Sequence, residues 1–139
     1  MQLSTALSSA KTPEQLVINA ATQMAEQLNA TILTHTQVTS IDRVNKKVML
    51  DEEVIAYDQL VFACGAKPLD LPLAGDGAVD VLSVNNLDDY AVFRQWLANR
   101  KKRLAILGSG LLGCEFASDL LAAGYQIEMI SLEAAPLAK

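Results

Sequence analysis

Leu104-Ala105-Ile106-Leu107-Gly108-Ser109-Gly110-Leu111-Leu112-Gly113 carries the pattern from which the architecture follows. Its four leading apolar residues read as a buried strand. The six that follow fit G-x-G-x-x-G, and a helix runs on to about residue 123. Gly124 closes that helix, and residues 126–130 read as a second strand. The glycine pattern alone is weak. Set between a buried strand and a helix, inside a strand–helix–strand unit over residues 104–130, it predicts dinucleotide binding. Each glycine has its own reason. Gly108 allows the tight turn, Gly110 lets the backbone approach a pyrophosphate, and Gly113 lets helix and strand pack closely. The free amides at the helix start, at Leu111 and Leu112, then hold the anion with help from the helix dipole. The plain alternative is a strand-to-helix turn whose glycines serve packing only.

An acid about 20 residues past such a loop accepts hydrogen bonds from the ribose 2′-hydroxyl of NAD. Glu128 and Glu133 lie in that range. Glu128 falls mid-strand, so Glu133 is the better candidate. No Arg or Lys follows Gly124 until Lys139, so no clamp for a 2′-phosphate is visible. NADH is favoured over NADPH.

Working outward, the 139 residues are 51% hydrophobic and 19% charged, enough for a modest core and unlike a disordered tail. A net charge of −5 repels a polyanion, which argues against nucleic acid as a partner. No apolar run reaches the roughly 18 residues of a membrane span, and no signal peptide is visible at the start. Cys64 and Cys114 form no CxxC pair and fit a reducing, cytoplasmic setting. Both read as packing thiols, although Cys114 sits just inside a helix start, where thiol pKa values fall. His35 is the only histidine and has no second metal ligand nearby.

Upstream, residues 12–30 read as one helix. Thr12-Pro13-Glu14-Gln15 is a capping box with proline at the first helical position, and Asn29 suits the end. Ala20, Ala21, Met24, Ala25 and Leu28 are spaced for one buried face. Residues 31–35 and 37–41 read as strands, followed by a turn at Arg43-Val44-Asn45 and a strand over 46–50. Asp51-Glu52-Glu53 is a charged turn before a short strand at 54–56. Leu60-Val61-Phe62-Ala63 reads as a strand buried on both faces, and Pro68 and Pro72 forbid central pairing after it. A helix capped by Asn86 places Asp88 and Asp89 in its first turn. It shares Leu87, Tyr90, Phe93 and Leu97 on one face and ends in Arg100-Lys101-Lys102-Arg103, a solvated helix end.

Tyr57-Asp58-Gln59-Leu60-Val61-Phe62-Ala63-Cys64-Gly65-Ala66-Lys67-Pro68 resembles the Y-D-x-L-V-x-A-T-G-x-x-P motif of the FAD-dependent pyridine nucleotide-disulfide oxidoreductases. About 40 residues later comes the glycine loop, with Glu115 two past its last glycine. The two motifs in that order are far more specific than either alone. Leu82-Ser83-Val84-Asn85-Asn86-Leu87-Asp88-Asp89-Tyr90 and the opening Leu3-Ser4-Thr5-Ala6-Leu7-Ser8 look most like the rubredoxin–NAD reductases of that family.

The resemblance implies a Rossmann-like α/β chain. Residues 1–82 would be part of an FAD-binding domain with its β-meander, and 83–139 the first half of an inserted NAD(P)H-binding domain. NADH would pass hydride to FAD, and electrons would leave to a small iron protein such as rubredoxin. Ala63, Cys64 and Gly65 would run close to the FAD ribose and pyrophosphate, and Val38 would offer backbone groups to the adenine. Gly108, Gly110 and Gly113 would hold the NADH pyrophosphate, and Glu115 would help position the nicotinamide.

The sequence departs from the pattern in three places. Cys64 replaces the usual threonine. Ser131 stands where the NAD-specific acid ends the second strand, leaving Glu133 as its substitute. No FAD-binding glycine loop precedes the chain, and Met1-Gln2 stands where a lysine is expected. The expectation is a fragment without hydride-transfer activity of its own. The alternatives are a non-catalytic NAD(P)-binding remnant, or a related reductase serving ferredoxin or a nitric-oxide reductase.

Overall fold

The computed structural model describes every residue except Met1, Gln2, Glu52, Asp70, Asn99, Lys101, Ala138 and Lys139. Glu52 of the charged turn, Lys101 of the basic run and Met1-Gln2 therefore lie outside the described residues. The chain divides into two compact units, Asn19–Ala66 and Met1–Ile18 with Lys67–Lys139.

The Asn19–Ala66 unit holds helix α2 (Ala21–Leu28) and strands β1 (Val38–Asp42), β2 (Lys47–Leu50) and β3 (Val54–Ala56). The strands form an antiparallel meander in the order β1-β2-β3. Asp42 fixes the first turn, since its carboxylate accepts the backbone amides of Val44 (3.0 Å) and Asn45 (2.9 Å). A register shift between Val38 and Ser40 leaves Thr39 unpaired in the ladder, and its hydroxyl donates to the Met49 carbonyl instead.

The other unit carries α1 (Pro13–Leu16), α3 (Leu87–Ala98), β4 (Arg103–Leu107), α4 (Leu111–Ala122) and β5 (Gln126–Ile130). Strands β4 and β5 run parallel, with Leu104 beside Ile127 and Ile106 beside Met129. The connection through α4 makes this the expected βαβ unit. Asn86 caps α3 by accepting the Asp89 amide at 2.8 Å, while Asp89 accepts the Asn86 amide at 3.2 Å, a reciprocal pair. Tyr90 and Leu97 of the expected α3 face are buried. Tyr90 packs with Ala6 and Leu16, and its hydroxyl donates to the Lys11 carbonyl at 3.1 Å. Burying such a side chain contributes about 1.5–3 kcal/mol. Phe93 meets Phe116 edge to face with ring centroids 6.2 Å apart, which seats α3 on α4.

The structure corrects several expectations. The single helix over 12–30 is two helices. Thr12 and Gln15 form the capping box, but Val17 turns extended (φ −70°, ψ 112°) and ends α1 after one turn. Val17 and Ile18 are β-branched and Asn19 is a weak helix former, so the local sequence opposes continuation. In α2 the Gln23 side chain accepts the Ala20 amide, but alanine offers no acceptor in return. None of its residues is buried, Leu28 included, while Asn29 closes it in the left-handed conformation.

Residues 31–35 form no strand, and His35 has φ +54°. The run Leu60–Ala63 is likewise unpaired, with Val61 82% and Phe62 72% exposed. A strand buried on both faces needs hydrogen-bonded neighbours on both edges, and no described segment pairs with this one. Cys64 beside it is consequently exposed rather than buried. Finally, β4 alternates exposed and half-buried positions. Ile106 lies toward the helix that covers one face, its Cγ2 only 3.6 Å from where a Gly113 side chain would start.

Candidate nucleotide site

The glycine loop joins β4 to α4, and each glycine can be judged from its backbone. Gly108 has φ +111°, a conformation L side chains rarely adopt. Its amide donates to the Ile130 carbonyl at 2.8 Å, tying the loop to the end of β5. Gly113 sits in the first turn of α4. A Cβ there would stand 2.3 Å from the Gly108 carbonyl oxygen, so only glycine permits this approach. Gly110 is different. It caps α4 with φ −70° and ψ −179°, and a Cβ built on it meets nothing within 4 Å. The protein's own packing therefore makes no demand for glycine at this position, and the space above it is open.

Because Gly110 has no side chain, no cap bond is made to the α4 amides. Leu111 and Leu112 begin the helix, both exposed. Their N–H groups belong to the set that an α-helix leaves without internal acceptors. Gly108, Ser109, Gly110, Ser131, Leu132 and Glu133 line a cavity of about 340 Å³ at this end of the sheet. The structure thus places Glu133 beside the glycine loop. Ser131 directly follows β5, and its hydroxyl is engaged with Ser109 at 2.7 Å and with the Glu133 amide at 3.1 Å. Ser109 is buried, and its carbonyl accepts the Leu137 amide and the Cys114 thiol. That contact accounts for Cys114 as a packing residue. Glu128 pairs with Arg103 across the strands at 2.5 Å, where it holds the arginine's pKa above its ordinary value.

Glu115 lies one turn further along α4 and accepts the Ser4 hydroxyl at 2.5 Å. Asp119 follows one turn later and is 6% exposed. Its carboxylate accepts the backbone amides of Leu7 (2.7 Å) and Ser8 (3.2 Å) and also the Ser8 hydroxyl. No sequence motif assigns a role to Asp119, and Ser4 enters only as part of the opening Leu3–Ser8 resemblance. The available signal was an aspartate four residues past Glu115, set among Ala117, Leu120 and Leu121.

The remaining expected positions lie in the Asn19–Ala66 unit. Val38 opens β1 and is half-exposed, with its Cα paired to that of Leu50. Ala63, Cys64 and Gly65 follow an exposed, irregular path, with Gly65 at φ +72°. Among the described residues no helix is long and apolar enough to cross a membrane.

Comparison with known proteins adds a family. The sequence profile described as pyridine nucleotide-disulphide oxidoreductase matches residues 1–139. A rubredoxin-NAD(+) reductase of Acinetobacter baylyi is 44% identical over 142 residues, covering 99% of this chain and 36% of that protein. One from Alcanivorax borkumensis is 41% identical, covering 92% and 33%. In structure, the NADH:rubredoxin oxidoreductase of Clostridium acetobutylicum aligns with a TM-score of 0.74 at 27% identity, over 98% of this chain and 35% of that one. The chain thus spans about a third of the length of the relatives it matches.

Proposed function

Since this chain belongs to the pyridine nucleotide-disulphide oxidoreductase family, we propose that it is part of an NADH-dependent flavoprotein reductase whose electrons leave to a small iron protein such as rubredoxin. The observation that carries the reading is Gly110. Its open Cβ direction, uncapped helix start and adjoining cavity together suit a pyrophosphate. The rubredoxin named for the Acinetobacter and Alcanivorax reductases and for the Clostridium oxidoreductase supports rubredoxin as the acceptor. The cytoplasm is the compartment this implies, where Cys64 and Cys114 stay reduced.

In this reading a bound NADH would supply a hydride, and a bound FAD would convert that two-electron input into single-electron output for the acceptor. The chain's own residues bind and orient. Gly108, Gly110 and Gly113 shape the loop, and the Leu111 and Leu112 amides face the pyrophosphate. Glu133 accepts the adenosine ribose hydroxyls, because the Ser131 hydroxyl at the strand end is already engaged with Ser109. An anionic carboxylate there repels a 2′-phosphate and so favours NADH over NADPH. Glu115 positions the nicotinamide end. On the flavin side, Val38 offers backbone groups to the adenine, and Ala63, Cys64 and Gly65 run beside the ribose and pyrophosphate. Residues 1–82 are then the flavin-binding part and 83–139 the start of the nicotinamide-nucleotide part.

The test is anaerobic. NADH added to the flavin-loaded reductase carrying this sequence should bleach the flavin absorbance, and oxidised rubredoxin should restore it. A flavin that stays oxidised in excess NADH would defeat the proposal.

A further inference from the structure

Asp119 is a buried carboxylate that the cofactor reading leaves unused. A buried charge is costly unless its oxygens are satisfied by donors. Its bonds to the Leu7 amide, the Ser8 amide and the Ser8 hydroxyl all come from one short segment. Glu115 and Asp119 are four residues apart on α4, so they share a helix face. The segment holding Ser4, Leu7 and Ser8 crosses that face and gives Ser4 to Glu115 and Leu7-Ser8 to Asp119. Thr5, Ser8, Glu115, Ser118, Asp119 and Ala122 line a cavity of about 320 Å³ along the same crossing.

We propose that Asp119 is a positioning residue for hydride transfer. By clamping Leu7 and Ser8 it holds the Ser4 hydroxyl on Glu115, and so fixes the Glu115 carboxylate where the nicotinamide is oriented. This rests on the nicotinamide role given to Glu115 above. Asp119 touches no cofactor in this account and acts only through Ser4. Asparagine at 119 keeps the volume but turns an NH₂ group toward donors, so the clamp opens. Alanine at Ser4 removes the other end of the link.

The experiment is stopped-flow flavin reduction by NADH in the full reductase, with wild type, Asp119→Asn, Ser4→Ala and the double variant. A displaced orienting group costs on the order of 10- to 100-fold in rate. Both single variants should slow reduction by at least about tenfold, with NADH affinity kept within about twofold. The double variant should be no slower than the slower single, because the two residues serve one link. Amide exchange at Leu7 and Ser8 should speed up in Asp119→Asn and not in Ser4→Ala. Wild-type reduction rates in either single variant would overturn the proposal, as would losses that multiply. If Asp119→Asn does not fold, Ser8→Ala replaces it, and a wild-type rate there counts against the clamp. A wild-type protein that never reduces flavin removes the functional reading and this inference together, whereas an active wild type beside equally active variants removes the inference alone.

Discussion

The carbonyl oxygen of Gly108 stands 2.3 Å from where a side chain on Gly113 would begin. The two glycines are therefore one packing device: the first bends the chain out of β4, and the second lets α4 close over the bend. Gly113→Ala should destabilise the protein by about 1–3 kcal/mol, the usual cost of overpacking. A urea unfolding midpoint that falls with an unchanged slope is the expected result. An unshifted midpoint would show that helix and loop yield freely.

The β1–β2 turn gives a pH-dependent prediction. The Asn45 backbone amide, then the Asn45 side-chain amide, hold the Asp42 carboxyl below its ordinary pKa. A depressed folded-state pKa means that the charged form supports the fold. The contribution is complete above the ordinary carboxylate range and is lost as pH falls through the folded-state value. Amide exchange at Val44 and Asn45 should therefore accelerate, beyond the intrinsic rate, on acidification below the ordinary range. Asp42→Asn should abolish that pH dependence.

The parts legible in the sequence were those whose cause is local. The Thr12 and Asn86 caps, the turn at Arg43-Val44-Asn45, the helix end at Asn29 and the β4–α4–β5 unit all depend on residues within a few positions of one another. The glycine loop was legible because sterics dictate its spacing. Leu60–Ala63 was misread because an apolar run signals burial whether or not a neighbouring strand pairs with it, and no described segment pairs with this one. The break at Val17 was hidden because the capping box and the Ala21–Leu28 pattern each signal helix, and only the β-branched pair between them signals a stop. The spacing of Asp119 from Glu115 puts the two on one helix face, but the bonds Asp119 makes could not be read. Its partners lie more than 110 positions away, and periodicity carries no information about such a contact.

Nucleotide preference should turn on Glu133. It lines the cavity beside the glycine loop, and its amide is fixed by the Ser131 hydroxyl. Glu133→Arg replaces a repulsive charge with an attractive one for a 2′-phosphate. A charged hydrogen bond lost on one ligand and gained on the other should move the NADPH-to-NADH affinity ratio upward by at least about tenfold. Paired titrations with the two nucleotides measure that ratio directly. An unchanged ratio would move the ribose contact elsewhere.

The open space above Gly110 is the proposed seat of the pyrophosphate. The most direct test of that placement is a calorimetric titration of NADH into Gly110→Ala beside the unaltered protein. At φ −70° with nothing within 4 Å, the added methyl group has room, so the fold should survive. The exchange of glycine for alanine at a helix cap should cost no more than about 1 kcal/mol of stability. NADH affinity should nevertheless fall by at least about tenfold, because the methyl group occupies the approach to the α4 amides. A folded Gly110→Ala protein that binds NADH as tightly as the original would contradict the account.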